Sequence, residues 1–136
     1  EVSRSELGPG LVFRFAISEP YALFFNIHPN GDFAHLLDID PASTTFHEIV
    51  AKVALEPLTN APQPDASPWE AESRRAALTP DGRWGFVSHG GDGLISVIDT
   101  ERGEVTSMLE VPSSLSGGGY LIALQPDMRM VDTVGR

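Results

Sequence analysis

The stretch Arg75-Ala-Ala-Leu-Thr-Pro-Asp-Gly-Arg-Trp-Gly-Phe-Val-Ser-His89, followed after Gly90-Gly-Asp-Gly93 by Leu94-Ile-Ser-Val-Ile-Asp99, decides the fold. Short apolar and β-branched runs are punctuated by turn residues. In Pro80-Asp-Gly82 the proline presets its own φ, the aspartate folds back on nearby backbone, and the glycine accepts a left-handed conformation. That combination predicts strand, tight turn, strand, and the Gly-rich segment repeats the event before Leu94. Thr100-Glu-Arg-Gly103 supplies a third turn before an apolar run over 105–111. The segment therefore reads as four consecutive strands joined by short connections.

The same texture extends outward in both directions. Runs of this type occupy 11–17, 21–28, 33–39, 46–55, 75–78, 84–89, 94–99, 105–111, 120–124 and 129–134, with turn residues at 29–32 and 125–128. The best helical pattern, Pro68-Trp-Glu-Ala-Glu-Ser-Arg-Arg-Ala-Ala-Leu78, has proline early and acids in its first turn, but its apolar positions do not sustain a 3.6-residue period. The expectation is an all-β chain.

An internal repeat organises these strands. Laid without a gap, Arg14–His28 superposes on Arg75–His89, bringing Ile17 onto Leu78, Phe25 onto Phe86 and His28 onto His89. After a two-residue difference in the next turn, the run ending Asp40 meets the run ending Asp99, and a fourth strand closes each copy. A third copy opens at Tyr120-Leu-Ile-Ala-Leu-Gln-Pro-Asp127 and stops after two strands. A four-stranded meander cannot bury both of its faces alone and must stack on a neighbour.

Ala77-Leu-Thr-Pro-Asp-Gly-Arg-Trp-Gly-Phe-Val-Ser88 with Ile95-Ser-Val-Ile-Asp-Thr-Glu-Arg-Gly-Glu-Val105 resembles the YVTN-type β-propeller repeat of bacterial surface and periplasmic propellers. Residues 74–111 carry the pattern well. Residues 120–134 carry half of it, with Met128 in place of the turn glycine, and 11–55 carry it loosely, without Pro-Asp-Gly between the first two strands. The resemblance implies consecutive four-stranded antiparallel blades of a β-propeller, about two and a half of them: a first blade at 11–55, a second at 74–111 and a half blade at 120–136. Such a ring is incomplete, so a protein partner, further copies of the chain or further sequence would complete it. The resemblance also implies a periplasmic or extracellular location. It implies nothing about activity, because propellers host binding modules, scaffolds and enzymes alike.

Composition narrows the function classes. The chain of 136 residues holds 9 Lys+Arg against 19 Asp+Glu, a formal charge of −10 that repels nucleic acid and anionic membranes. With no Cys, disulfide scaffolds, thiolate metal sites and thiol nucleophiles are excluded. No apolar run approaches the roughly 20 residues that span a bilayer, and no leader pattern of charges followed by an apolar stretch begins at Glu1. The single lysine, Lys52, stands mid-strand. Neither a phosphate-binding loop nor a G-x-S-x-G elbow is present.

What remains is a rim. In a four-stranded repeat, the connection between its second and third strands emerges at the same end as the connection leading into the next repeat. The histidines His28 and His89 close second strands, and the loops at 56–73 and 112–119 belong to that end. The insert at 56–73, with four prolines, Asn60, Asp65 and Trp69, has no periodicity and reads either as a surface insertion or as a lid or partner-binding loop anchored by Trp69. Two imidazoles with a carboxylate, Asp32 or Asp92, could hold a divalent transition metal. The plainer alternative is that each histidine caps its own hairpin. Arg74 and Arg75 could bind an anion there or pair with one of the many acids. No cofactor motif is identified. Of the other histidines, His35 shares alternation with Phe33, Leu37 and Ile39 and reads as packed, while His47 beside Glu48 reads as solvated. Asp40 and Asp99 at the ends of third strands read as turn caps, and Asp38 with Asp40 forms a D-x-D pair.

Two functions follow as expectations. One is a non-enzymatic binding or scaffold module whose rim meets a ligand or protein through the turns between second and third strands and the insert 56–73. The other is a segment of a propeller oxidoreductase or metal-dependent enzyme using His28 and His89.

Overall fold

The structure, a computed structural model, describes residues 11–27, 33–59, 74–115 and 121–124. Two four-stranded antiparallel sheets form, with strands in sequence order in each. The first sheet contains β1 (Leu11–Ile17), β2 (Tyr21–Ile27), β3 (Phe33–Asp38) and β4 (Ile49–Ala54). The second contains β5 (Ala76–Leu78), β6 (Trp84–Ser88), β7 (Leu94–Asp99) and β8 (Glu104–Glu110). The only helical element among the described residues is a 3-10 turn at Gly90–Asp92. The all-β expectation holds.

One core joins the sheets. Ala16, Leu23, Ala34, Leu36, Val53 and Leu55 from the first sheet meet Ala76, Leu78, Val87 and Ile98 from the second, all buried. Alternation along each strand puts these residues on one face of each sheet, as the cross-strand pairs Leu23↔Leu36 and Gly85↔Ile98 require. Burying each of the larger aliphatic side chains contributes about 1.5–3 kcal/mol. The sheets approach most closely where glycine leaves room. A Cβ on Gly85 would stand 3.1 Å from Leu23 Cδ2, and one on Gly82 would stand 2.5 Å from Pro20 Cγ. Strands of equal rank lie together across this layer, β1 beside β5 and β4 beside β8.

The ladders correct the gapless superposition of the two repeats. Ile17 pairs with Ala22 and Leu78 with Gly85, while Tyr21 pairs with Asp38 and Trp84 with Asp99. Ile17 therefore does match Leu78, but Tyr21 matches Trp84, Leu23 rather than Phe25 matches Phe86, and Asp38 rather than Asp40 matches Asp99. The cause is turn length. Residues 18–20 join β1 to β2, whereas the longer segment 79–83 joins β5 to β6. Carried one residue past β6, the same register sets His89 level with Asn26 and not with His28. A shared irregularity confirms this alignment: the ladder slips between Leu36 and Leu37 in one sheet and between the equivalent Val97 and Ile98 in the other.

Other expectations change in detail. The fourth strand of the first repeat begins at Ile49, not at residue 46, because 39–48 form a broad turn in which His47 takes a φ of 71°. No strand forms over Leu121–Leu124, where Ile122 and Leu124 are exposed and unpaired in any ladder of the described residues. The second strand expected for that half repeat, at 129–134, lies outside the described residues, as do 28–32 and 60–73.

The matched aspartates show how one position can be satisfied by two chemistries. Asp99 receives a two-pronged bond from Arg83, at 2.7 and 3.0 Å, and the backbone N–H of Arg102 at 3.0 Å. The Arg83 guanidinium holds the Asp99 carboxyl below its usual range, and Asp99 in turn raises Arg83. The first repeat has the shorter turn and no arginine there, so the hydroxyls of Ser43 and Thr45 donate to Asp38 instead and lower its carboxyl. Asp40 then does cap a turn, accepting the N–H of Ala42 at 2.8 Å. Asp38 Oδ2 accepts both hydroxyls and Oδ1 accepts the Asp40 N–H at 2.9 Å, so the D-x-D pair is turn chemistry.

Candidate functional site

The site begins with the connection between β6 and β7. Three glycines and one aspartate allow the chain to reverse through a single 3-10 turn, closed by Gly93 at a φ of 66°. A Cβ on Gly93 would meet the carbonyl oxygens of Val111 and Ser113 at 3.1 and 3.3 Å, so the strand exit after β8 packs directly on this turn. Val111 N–H donates to the Gly93 carbonyl and Leu115 N–H to that of Gly90, both at 2.8 Å.

Onto the same turn comes the stem of the insert. The carboxylate of Asp92 accepts the Thr59 backbone N–H at 2.9 Å and its hydroxyl at 2.6 Å. On the far side of the insert, Arg74 Nη2 donates to the Glu56 carbonyl at 2.6 Å. Glu56 and Thr59, Arg74, His89 to Asp92, and Val111 to Leu115 are thus gathered at one end of the two sheets. Among the rim residues expected from sequence, Asp92, Arg74 and Arg75 are placed there. Trp69, Asp32 and His28 lie outside the described residues.

Beneath this rim sits a buried polar chain. His89 is fully buried and Arg74 is only 2% exposed. Arg74 Nη1 stands 3.2 Å from His89 Nδ1, His89 Nε2 stands 2.6 Å from Ser96 Oγ, and Ser96 Oγ donates to Met108 Sδ at 3.2 Å. The proton positions follow from the ends of the chain. A guanidinium has donors and no acceptor, so Nδ1 must accept. The neutral ring then carries its hydrogen on Nε2 and donates it to Ser96. Burial and the adjacent Arg74 charge both favour that neutral ring, moving His89 down from 6.5 to about 4, against a smaller opposing pull from Asp92.

This ordering decides the chemistry available. A serine nucleophile needs a ring nitrogen that accepts its proton, whereas here the ring donates and the serine hydroxyl points to sulfur. A metal ion needs a free nitrogen lone pair, whereas the lone pair of Nδ1 faces a guanidinium and Nε2 bears hydrogen. Among the described residues no three histidine or acidic side chains come together in a group that could hold an ion. The role His89 performs is that of a buried brace between the rim and the sheet interior.

Arg75 serves the backbone: its N–H donates to Ser88 Oγ at 2.8 Å and its guanidinium to the Arg74 carbonyl at 3.0 Å. His35 is buried, 2% exposed, and stacks on Phe24 with ring centroids 5.4 Å apart, a packed imidazole as alternation requires. His47 is exposed in the turn ahead of β4. At the opposite end from the rim, a cleft of about 340 Å³ lies between Tyr21, residues 50–52 and residues 100–103. Its charges have partners close by. Glu101 lies 3.6 Å from Arg83, Arg102 lies 3.2 Å from Glu104, and the Lys52 ammonium sits 4.2 Å over the Phe33 ring.

Thr59, Ser96 and Met108 had no signal in the sequence. Each is an ordinary residue whose partner is brought near by strand pairing or by the course of the chain just after β4. Neither the protein-family models nor the curated proteins against which the sequence was compared contain a match.

Proposed function

We propose that the chain is a run of propeller-type repeats that acts as a non-enzymatic binding or scaffold module, presenting a ligand or protein partner with the rim that carries the insert 56–73. The observation that supports it is the clamp at the base of the insert. Thr59 is held by Asp92 and Glu56 by Arg74, so an 18-residue segment of low regularity is fixed at its stem to a turn of the second sheet. A loop presented from a rigid base loses less conformational freedom when it binds, which raises affinity without new contacts. The blade reading is supported by the repeat itself: two meanders of the same strand order, the same bulge position, and strands of equal rank side by side. The inert direction of the His89–Ser96 hydrogen bond favours binding over catalysis.

The test compares the intact chain with a variant lacking 60–68 and with Asp92→Ala, each immobilised against extracts of the source cells and their medium. The proposal expects a partner, identified by mass, that is retained by the intact chain, lost on deletion and weakened by Asp92→Ala. Circular dichroism should stay unchanged throughout. Equal retention by all three chains, or no specific partner, overturns the reading.

A further inference from the structure

The two ends of the insert 56–73 are tied to each other through one guanidinium. Arg74, at its exit, donates from Nη2 to the Glu56 carbonyl at its entry, 2.6 Å away, while Nη1 stands 3.2 Å from His89 Nδ1. Arg74 is thus shared between the insert and a ring that can take up a proton. Neutral His89 has one acceptor, the nitrogen turned to Arg74, because Nε2 bears the hydrogen directed to Ser96 at 2.6 Å. An added proton therefore has a single place to go. On Nδ1 it changes that acceptor into a donor and sets two cations against each other where both side chains are buried. The ring is the less movable of the two. Its own backbone N–H donates to the Leu94 carbonyl at 2.8 Å, and Ser96, fully buried, holds its far nitrogen. Arg74 stands on a long side chain of several rotatable bonds, so the guanidinium gives way and the Glu56 carbonyl loses its donor. The Asp92 hold on Thr59 is left in place.

Charged groups of the described residues reach this place from several elements. Arg74 opposes a proton on the ring, and Asp92, on the turn after β6, draws one with a smaller effect. Arg75 is turned to the Arg74 carbonyl, while Glu56 after β4 and Glu110 at the end of β8 are exposed. Of the neighbouring strands, β7 presents Ser96 to the ring and β8 presents Met108 to Ser96, neither of them charged.

We infer that His89 is a proton-operated latch for the insert: protonation at Nδ1 releases Arg74 from Glu56, parts the two ends of the insert and so withdraws the rim from its partner in acid. The partner's release rests on the rim reading above, whereas the latch rests on the shared Arg74, and its test uses no partner, so the two can fail separately. Burial and the Arg74 charge hold the ring neutral down to about 4, which keeps the latch shut at neutral pH.

Nuclear magnetic resonance on the intact, isotopically labelled chain tests it by following His89 Nδ1, the Glu56 carbonyl carbon and the Arg74 guanidinium from pH 7 to pH 3.5. The carbonyl and guanidinium signals should shift together with Nδ1, along one curve of one midpoint, while the amides of β6 and β7 keep their protection from exchange. In His89→Gln, whose amide can accept from Arg74 and donate to Ser96 without titrating, the Glu56 carbonyl should hold its position over the same range. A carbonyl that stays still while the ring titrates, or moves with a different midpoint, overturns the inference on the unchanged chain alone, whether or not the variant folds. A shift of equal size in His89→Gln also overturns it, by assigning the loosening to Asp92 or to the Glu56 carboxylate. Loss of β6 and β7 protection over the same range does so too, because the release is then part of general unfolding.

Discussion

Stability between pH 7 and pH 4 should report the buried brace at His89. In the fold the ring is held neutral, at about 4, by burial and by Arg74, while in the unfolded chain it titrates near 6.5. Between those values the unfolded state binds a proton that the folded state refuses. The stabilisation is therefore fully present above 6.5 and is lost as pH falls toward 4, with a slope of at most about 1.4 kcal/mol per pH unit. Over the interval the ceiling is about 3 kcal/mol. The comparison is with His89→Gln, a side chain of similar reach that does not titrate. At pH 7.5 the substitution should cost about 1–3 kcal/mol, because it disturbs a buried hydrogen-bond chain. As pH is lowered the two chains should converge, since only the wild type loses the histidine contribution. Urea unfolding followed by circular dichroism at half-unit steps gives the difference directly, and all other titrating groups cancel. Parallel curves would refute the argument. So would a proton NMR titration that places the His89 ring near 6.5.

Below about pH 3.8 a second loss should follow, common to both chains, as Asp38 and Asp99 are protonated and release their hydroxyl and guanidinium partners; an Asp99→Asn chain should lack part of it in the same urea series. Gly82→Ala should destabilise by about 1–3 kcal/mol, since its φ of 71° disfavours a side chain and the new Cβ would overlap Pro20, and differential scanning calorimetry reads the fall in Tm. Leu23→Ala removes a fully buried side chain from the layer shared by both sheets and should cost about 2–5 kcal/mol with loss of a single cooperative transition, seen by calorimetry. Asp92→Ala leaves Thr59 without its acceptor, so amide exchange at Thr59 should quicken by about tenfold while amides of β6 and β7 keep their protection; unchanged exchange at Thr59 would count against the clamp.

The all-β class, the strand and turn sequence and the existence of a repeat were legible because they rest on local chemistry. Pro80-Asp-Gly82 turns wherever it stands, and Leu94–Asp99 has the branched residues of a strand regardless of its neighbours. Registers between strands were not legible to the same degree. A gapless superposition over 14–28 hides a two-residue difference in the turn after Ile17, and every match beyond that turn is displaced by two residues, an even step that preserves inside–outside alternation and leaves the hydrophobic pattern undisturbed. For that reason the sequence pattern sets His28 level with His89, and Asp40 with Asp99. The ladder hydrogen bonds decide the matter and place Asn26 and Asp38 there instead.

The same division holds for the site. That the turn at 90–93 and the insert share one end of the sheets follows from antiparallel connectivity, which the order of strands already contains. The fate of His89 does not. Histidine can ligate, catalyse or brace, and the choice depends on which atoms face its two nitrogens. Arg74 and Ser96 reach them through strand pairing, and Thr59 reaches Asp92 because the chain leaving β4 runs onto the turn between β6 and β7. The sequence by itself determined which residues could bond; their partners were chosen by tertiary structure, because a hydrogen bond tests distance and direction and is indifferent to separation along the chain.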